Sequence, residues 1–363
     1  MRQSSSEHDL YGRDVRASKP AQHEIQPERT MPLPRRPLLA APLLLAAPVA
    51  LRAQGSGTPI SVSTALRLAN WTPAWTAQRR GLFAKHGLRV EIAAAGSIAE
   101  PVAILNARRA QIALTGTGMS VNATVEGARM KVIGKLAGGI GLWFIHRPGL
   151  ALNGLEDLRG KSIASLRFPS NTVSSPTYVL RSRANIDPAQ AGIRFVEGPP
   201  GSIIAAVRDG RADCGCVFEW DASIAETQHG LSVSLPLAPI LGPIAFSSAI
   251  VREDWLAQNR SQAQAFMNAL AEAMKLIRDD PSVYEEVSRA EFEQVPAAAI
   301  ARGAQRLLGA PGVVPREPMV TRVEWDAIVA HELGAGTMRQ ALPFEQMVDN
   351  SLAEAAARAA GIA

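Results

Sequence analysis

From residue 58 onward, stretches in which apolar and polar positions alternate are followed by stretches in which apolar positions return every three to four residues. Period two marks strands and period 3.6 marks helices. ISVST (60–64), RVEIAAAG (89–96), QIALTG (111–116) and MKVIGKLAG (130–138) read as strands. The helical stretches between them lie within WTPAWTAQRRGLF, IAEPVAILNARR and MSVNATVEG. Such alternation predicts βαβ units and a parallel sheet covered by helices on both faces. RRGLFAKHGLRVEI (79–92) has a finer structure: Gly81 and Gly87 bracket a five-residue stretch and a period-two run follows. The pattern predicts a helix stop, a short extra turn, a left-handed closing residue and an immediate strand.

The pattern restarts after a strand-like GLWFIHRPG (141–149). A helix turn and strand in LNGLEDLRGKSIAS, a helix in NTVSSPTYVLRSRA, a strand in IRFVEG, a helix in SIIAAVRDGRA and a strand in DCGCVF follow. A second α/β lobe is therefore expected, with PLAPILGP (236–243) as a crossing between lobes. IAFSSAIVRED is one more strand, and the chain after Asp254 reads as helix only. A helical tail cannot complete a third sheet, so it is expected to pack back on the first lobe.

Composition adds little to this picture. Of 363 residues, 47 % are hydrophobic and 20 % charged, which is ordinary for a chain with a real core. The net charge of +5 is concentrated early: residues 1–53 hold eight Lys/Arg against five Asp/Glu. No basic run is long enough for a nucleic-acid surface. Residues 1–53 read as a leader, with a polar, aperiodic 1–30 and a signal peptide over 31–53. Arg35 and Arg36 form its charged region, 38–49 its short apolar core, and Ala53 its expected cut site. The mature chain is then expected to be periplasmic, without a spanning helix.

Motifs that look chemical fail on spacing. GKS at 160–162 precedes its strand, whereas a phosphate loop follows one, and position 155 is Leu155 instead of glycine. TGTGMS (115–120) carries Val121 where a dinucleotide loop needs its third glycine. HELGA (331–335) ends in Ala335 where a zinc helix needs histidine. Cys214 and Cys216 would share one face of a strand, as small buried hydrophobes or as a bridge or reactive pair. Neither a metal nor a cofactor is expected.

The segments AWTAQRRGLFAKHGLRVEI, ARRAQIALTGTG, DLRGKSIAS, VRDGRADCGCVFEWDA, VREDWLAQN and PFEQMVDNSL, in this order and spacing, resemble the nitrate/sulfonate/taurine-type solute-binding proteins of ABC importers, a group that also holds thiamine-precursor binders. The resemblance runs over about residues 58–361. It implies a two-lobe periplasmic-binding-protein fold (type II) with two hinge crossings. Lobe 1 would comprise 58–141 and 244–363, and lobe 2 would comprise 142–243. It also implies a monomeric, non-enzymatic receptor for a small organic anion or heterocycle, serving an ABC permease and ATPase. Two rivals share the scaffold: an enzyme of desulfinase or pyrimidine-synthase type, for which Cys216 is the candidate nucleophile, and a ligand-sensing domain feeding a signalling partner.

Ligands of open α/β sheets bind beyond the carboxyl ends of the strands, where helix N-termini offer free N–H groups. That rule selects Asn70, Trp71 and Trp75 after the first strand, and Gly96 and Ser97 after the second. It selects Thr115, Gly116 and Thr117 after the third. In the second lobe it selects Arg167, Ser170, Asn171, Thr172 and Glu219. Each group has a plain structural alternative: Trp71 packing on its lobe, Ser170 to Thr172 capping a helix, Arg167 solvated, Glu219 bracing the hinge.

Overall fold

The computed structural model describes residues 57–97 and 100–362. The leader assigned to residues 1–53 lies outside the described residues. The chain begins with β1 (Thr58–Thr64), α1 (Thr72–Arg79), α2 (Leu82–Lys85), β2 (Leu88–Ala94), α3 (Glu100–Asn106), β3 (Ile112–Gly116), α4 (Gly118–Val125) and β4 (Met130–Ala137). It continues through β5 (Leu142–His146), β6 (Ser162–Leu166), α5 (Asn171–Ala184), β7 (Arg194–Gly198), α6 (Ser202–Arg208), β8 (Cys214–Phe218), α7 (Asp221–His229), β9 (Ser232–Ser234) and α8 (Ala238–Leu241). After β10 (Ser247–Arg252) come α9 (Glu253–Gln258), α10 (Arg260–Asp279), α11 (Ser282–Glu291), α12 (Ala297–Gly309), α13 (Arg322–Ala335), α14 (Phe344–Met347) and α15 (Ser351–Ala360).

The double stop around residue 81 is as the glycines demand. Gly81 and Gly87 both take left-handed backbone, at φ 68° and 76°, and close α1 and α2. With no Cβ to clash, glycine holds this conformation at little cost. The strand β2 then pairs with β1 in parallel from Leu88 onward.

Two five-stranded sheets form, in the orders β2-β1-β3-β10-β4 and β7-β6-β8-β5-β9. The alternation of strands with helices predicts parallel strands, but both sheets are mixed. β10 runs antiparallel to β3 and β4, and β5 runs antiparallel to β8 and β9. The cause is the route of the chain. It leaves the first sheet after β4, at the rim where the parallel strands end, and enters the second sheet at β5. The start of β5 pairs with the end of β8, Leu142 opposite Phe218. It returns after β9, and the start of β10 pairs with the end of β3, Ser247 opposite Gly116. A strand that enters across a rim must run against the strands that end there. The two antiparallel strands thus bring the carboxyl-end rims of the sheets towards each other.

The helical tail wraps further than onto the first lobe. α10 packs on α1, α2 and α15, with Phe266, Met267, Leu270 and Met274 fully buried and Phe266 stacked on Phe83 at 5.0 Å. Each such side chain contributes about 1.5–3 kcal/mol. α12 and α13, however, reach the helices of the second sheet, α12 against α7 and α13 against α5. The two helices that the alternation of the second half leaves unread, α7 and α8, follow β8 and β9.

Candidate functional site

A cavity of about 580 Å³ opens between the two rims. From the first sheet it is lined by Leu66, Leu68 and Trp71 after β1, Gly96 and Ser97 after β2, Thr115 and Gly116 at the end of β3, and Phe246 and Ser247 at the start of β10. From the second sheet come Leu166, which ends β6, and 167–171 beyond it, Gly198, which ends β7, with Pro199 and Pro200 beyond it, and Phe218 at the end of β8. The walls are mainly apolar. Arg167 is the charged side chain among the lining residues, and it has no ion-pair partner among the described residues.

Two buried donors in this wall are unsatisfied. Trp71 is 2 % exposed and its indole Nε1 has no hydrogen-bond partner among the described residues; Ser247 is 1 % exposed and its Oγ has none among them either. A buried polar group without a partner costs about 1–3 kcal/mol, so such groups mark places where a ligand or water completes the bonding.

Across the cavity, the N-terminus of α5 is built from hydroxyls. Ser170 is the N-cap and its Oγ accepts from the Thr172 N–H at 3.4 Å. Thr172 Oγ1 accepts from the Leu166 N–H at 2.9 Å and lies 3.1 Å from Ser170 Oγ. Each hydroxyl accepts from a backbone N–H and one of the two protons closes the Ser170–Thr172 contact, so the end of α5 offers one hydroxyl proton and a positive dipole end.

Of the positions selected from sequence, Trp71, Gly96, Ser97, Thr115, Gly116, Arg167, Ser170 and Asn171 line the cavity. Five others stand elsewhere. Asn70 is buried behind the wall, with its Nδ2 unpartnered. Trp75 is a core residue whose Nε1 donates to the Leu68 carbonyl at 3.0 Å. Thr117 is buried with its hydroxyl 2.7 Å from Ser248 Oγ. Thr172 is turned into the helix cap described above. Glu219 is buried in an ion pair with Arg306 at 2.5 Å, joining the second sheet to α12. Burial raises the Glu219 pKa against the opposing pull of Arg306, and Asp221 is pushed up to about 6 by burial and then by the charge of Glu219. α12 approaches so closely because position 303 is glycine: a Cβ there would lie 2.8 Å from the Trp220 ring.

Sequence reasoning passed over the apolar neighbours of the selected residues, such as Leu66, Leu68, Phe168 and Phe218, and two further groups. Gly198, Pro199 and Pro200 obey the same strand-end rule, and their GPP triplet after IRFVE was a readable turn signal. Phe246 and Ser247 precede or begin a strand, so only the antiparallel run of β10 carries them to the rim.

The cysteines share the second sheet's core. Cys214 and Cys216 are both buried and free. Burial pushes the Cys214 thiol up to about 12 and raises Cys216 well above its ordinary value. Neither lines the cavity.

This architecture is shared widely. The Bacillus subtilis (strain 168) protein named "Putative binding protein YtlA" is 21 % identical over 315 residues, covering 86 % of this chain and 93 % of that protein. The alkanesulfonate-binding protein SsuA from Xanthomonas axonopodis pv. citri, solved bound to MOPS, superposes with a TM-score of 0.65 at 14 % identity, covering 82 % of this chain and 99 % of that one. The desulfurization enzyme DSZB superposes with a TM-score of 0.62 at 12 % identity, over 83 % of this chain and 99 % of that one. At such identities these structures establish the fold, a two-sheet periplasmic-binding-protein architecture. The family model described as NMT1/THI5 like matches residues 69–283, more than half of the chain, and the chain therefore belongs to the NMT1/THI5 like family.

Proposed function

We propose that this protein is an exported solute-binding receptor of an ABC importer. It captures a small organic anion or heterocycle between two lobes and delivers it to a membrane permease with its ATPase. The lobes are 58–141 with 244–363, and 142–243, hinged at the two crossings between the sheets. The observation that carries this reading is the cavity itself: rims of both sheets fence it, Arg167 is its charged lining residue, and Trp71 Nε1 and Ser247 Oγ await a partner. A guest that touches both rims binds the closed arrangement better than the open one, and that difference drives closure. The names of the relatives, a binding protein and an alkanesulfonate-binding protein, support the same reading.

The test is thermal shift and small-angle scattering of the mature chain against alkyl and aromatic sulfonates, aromatic carboxylates, nitrate, taurine and pyrimidines. Stabilisation with a smaller radius of gyration by at least one class is expected. Failure of every class to do either sinks the receptor.

The likeness to DSZB gives an enzymatic reading its one foothold. A thiolate mechanism would need an ionisable cysteine in the cleft, whereas both thiols here are buried with raised pKa and stand off the cavity wall. The receptor accounts for the unsatisfied donors without any reacting group.

A further inference from the structure

Asn171, at the first turn of α5, lines the cavity, and its side chain is the visible end of a buried chain of hydrogen bonds. The chain starts on α13. His331 is fully buried against α5, with its ring edge-on to Tyr178 at 5.0 Å. Its Nε2 lies 3.0 Å from Ser175 Oγ, while its Nδ1 has no partner. A neutral imidazole carries one ring proton. A buried N–H facing no acceptor is rarer and costlier than a bare lone pair. The proton therefore belongs on Nε2, where Ser175 Oγ accepts it.

That choice sets the direction of everything downstream. Having accepted from His331, Ser175 donates its own hydroxyl proton to Asn171 Oδ1, 3.3 Å away. Ser174 Oγ donates to the same oxygen at 3.2 Å. Both donors hold the amide oxygen on the helix side. The amide Nδ2, with its two N–H groups, is the end of the side chain without an acceptor among the described residues. Burial keeps His331 neutral at neutral pH, with its pKa down at about 4, so the single-proton state the chain requires is the populated one.

We propose that His331 is a positioning residue: through Ser175 it locks the Asn171 amide so that the cavity meets N–H donors and not a carbonyl, which makes this rim select an anionic or acceptor-rich group. The inference rests on the receptor reading of the cavity. It narrows that reading to ligands that present oxygen acceptors to α5, alongside Arg167 and the indole of Trp71.

The experiment uses the mature chain, with benzenesulfonate as the probe. Calorimetric affinity is compared among wild type, Ser175→Ala, His331→Leu and His331→Gln, with melting temperatures measured on each. Losing one hydrogen bond to a charged group predicts affinity about 10- to 100-fold weaker in S175A and H331L. H331Q keeps an amide N–H donor for Ser175 and is expected to stay within about threefold of wild type. A merely structural role would weaken H331Q and H331L alike. Independently of any ligand, long-range proton–nitrogen correlation of wild type at pH 7 should show His331 protonated on Nε2. An Nδ1-protonated ring, or unchanged affinity in both S175A and H331L, overturns the proposal. If wild type binds no anion of the wider panel, the receptor reading falls, and the ring tautomer then decides the relay on its own.

Discussion

Replacing Arg306 with methionine tests how the tail is fastened to the second sheet. Arg306 donates from Nη1 to Glu219 Oε1 at 2.5 Å and to Ser223 Oγ at 2.8 Å, and from Nη2 to Glu226 Oε2 at 2.5 Å. The Glu219 side chain has no solvent exposure and the Arg306 side chain only 12 %. Methionine fills much of the arginine stem's volume, so the loss is chiefly electrostatic. Without its partner, Glu219 keeps only its hydrogen bonds from Ser223, from the N–H at 3.1 Å and from the side chain, and is otherwise a buried carboxylate. Breaking a buried pair in this way costs about 3–5 kcal/mol. There is a ceiling, because the carboxylate can escape by taking up a proton. From an ordinary pKa of 4.5, protonation at pH 7 costs about 3.4 kcal/mol, at 1.36 kcal/mol per unit. At pH 5 the same escape costs only about 0.7 kcal/mol. The lost contact to the part-exposed Glu226 adds less than about 1 kcal/mol at either pH. Urea unfolding followed by circular dichroism should thus show R306M destabilised by about 3 kcal/mol at pH 7 and by about 1–2 kcal/mol at pH 5. The double variant Glu219→Gln/Arg306→Met should recover most of the pH 7 loss. A penalty below about 1 kcal/mol at pH 7, or one that does not shrink on acidification, would refute the burial argument.

Trp71→Phe removes the unpartnered indole donor and keeps the apolar ring. Unfolding free energy should change by less than about 1 kcal/mol, while affinity for an aromatic sulfonate falls about tenfold or more; equal loss of both would mean Trp71 acts by packing alone. The neighbouring His331 and Glu332 give opposite pH limbs. Burial lowers His331 from 6.5 to about 4, so the unfolded chain takes up a proton that the folded chain refuses, and stability falls as pH drops from 6.5 towards 4. Burial raises Glu332 from 4.5 to about 7, so stability falls as pH rises through that interval. Asp221, raised by burial to about 6, adds a limb of the same sign as Glu332, so the histidine limb is read as the difference between Glu332→Gln and Glu332→Gln/His331→Gln: relative to the double variant, the stability of Glu332→Gln should climb by up to about 3 kcal/mol from pH 4 to pH 6.5; a flat difference contradicts a neutral buried His331. Both thiols should resist iodoacetamide at pH 8 in the folded protein and react fully in urea, read by mass spectrometry; rapid labelling of native Cys216 would reopen the enzymatic reading.

Much of this molecule is local and so was readable along the chain. The two rhythms placed strands β1 to β8 and most of their helices, because side-chain period follows directly from backbone geometry. The left-handed glycines at 81 and 87 could be assigned without a fold, since only the missing Cβ matters there. The strand-end rule reached Trp71, Ser97, Thr115, Arg167, Ser170 and Asn171, which line the cavity, because ligand sites of open sheets follow from connectivity. What needed the tertiary structure is whatever depends on direction or on partners far along the chain. No local signal says that β5 and β10 run backwards, so Phe246 and Ser247 could not be placed at the rim. Glu219 and Thr172 sit next to the right strands, yet Arg306, 87 residues away, and the Leu166 N–H occupy their oxygens. His331 and Ser175 are 156 residues apart, and only the packing of α13 on α5 makes them neighbours. A periodic pattern reports which face of an element is buried; which group a buried atom meets is set by the crossing of the chain between two sheets.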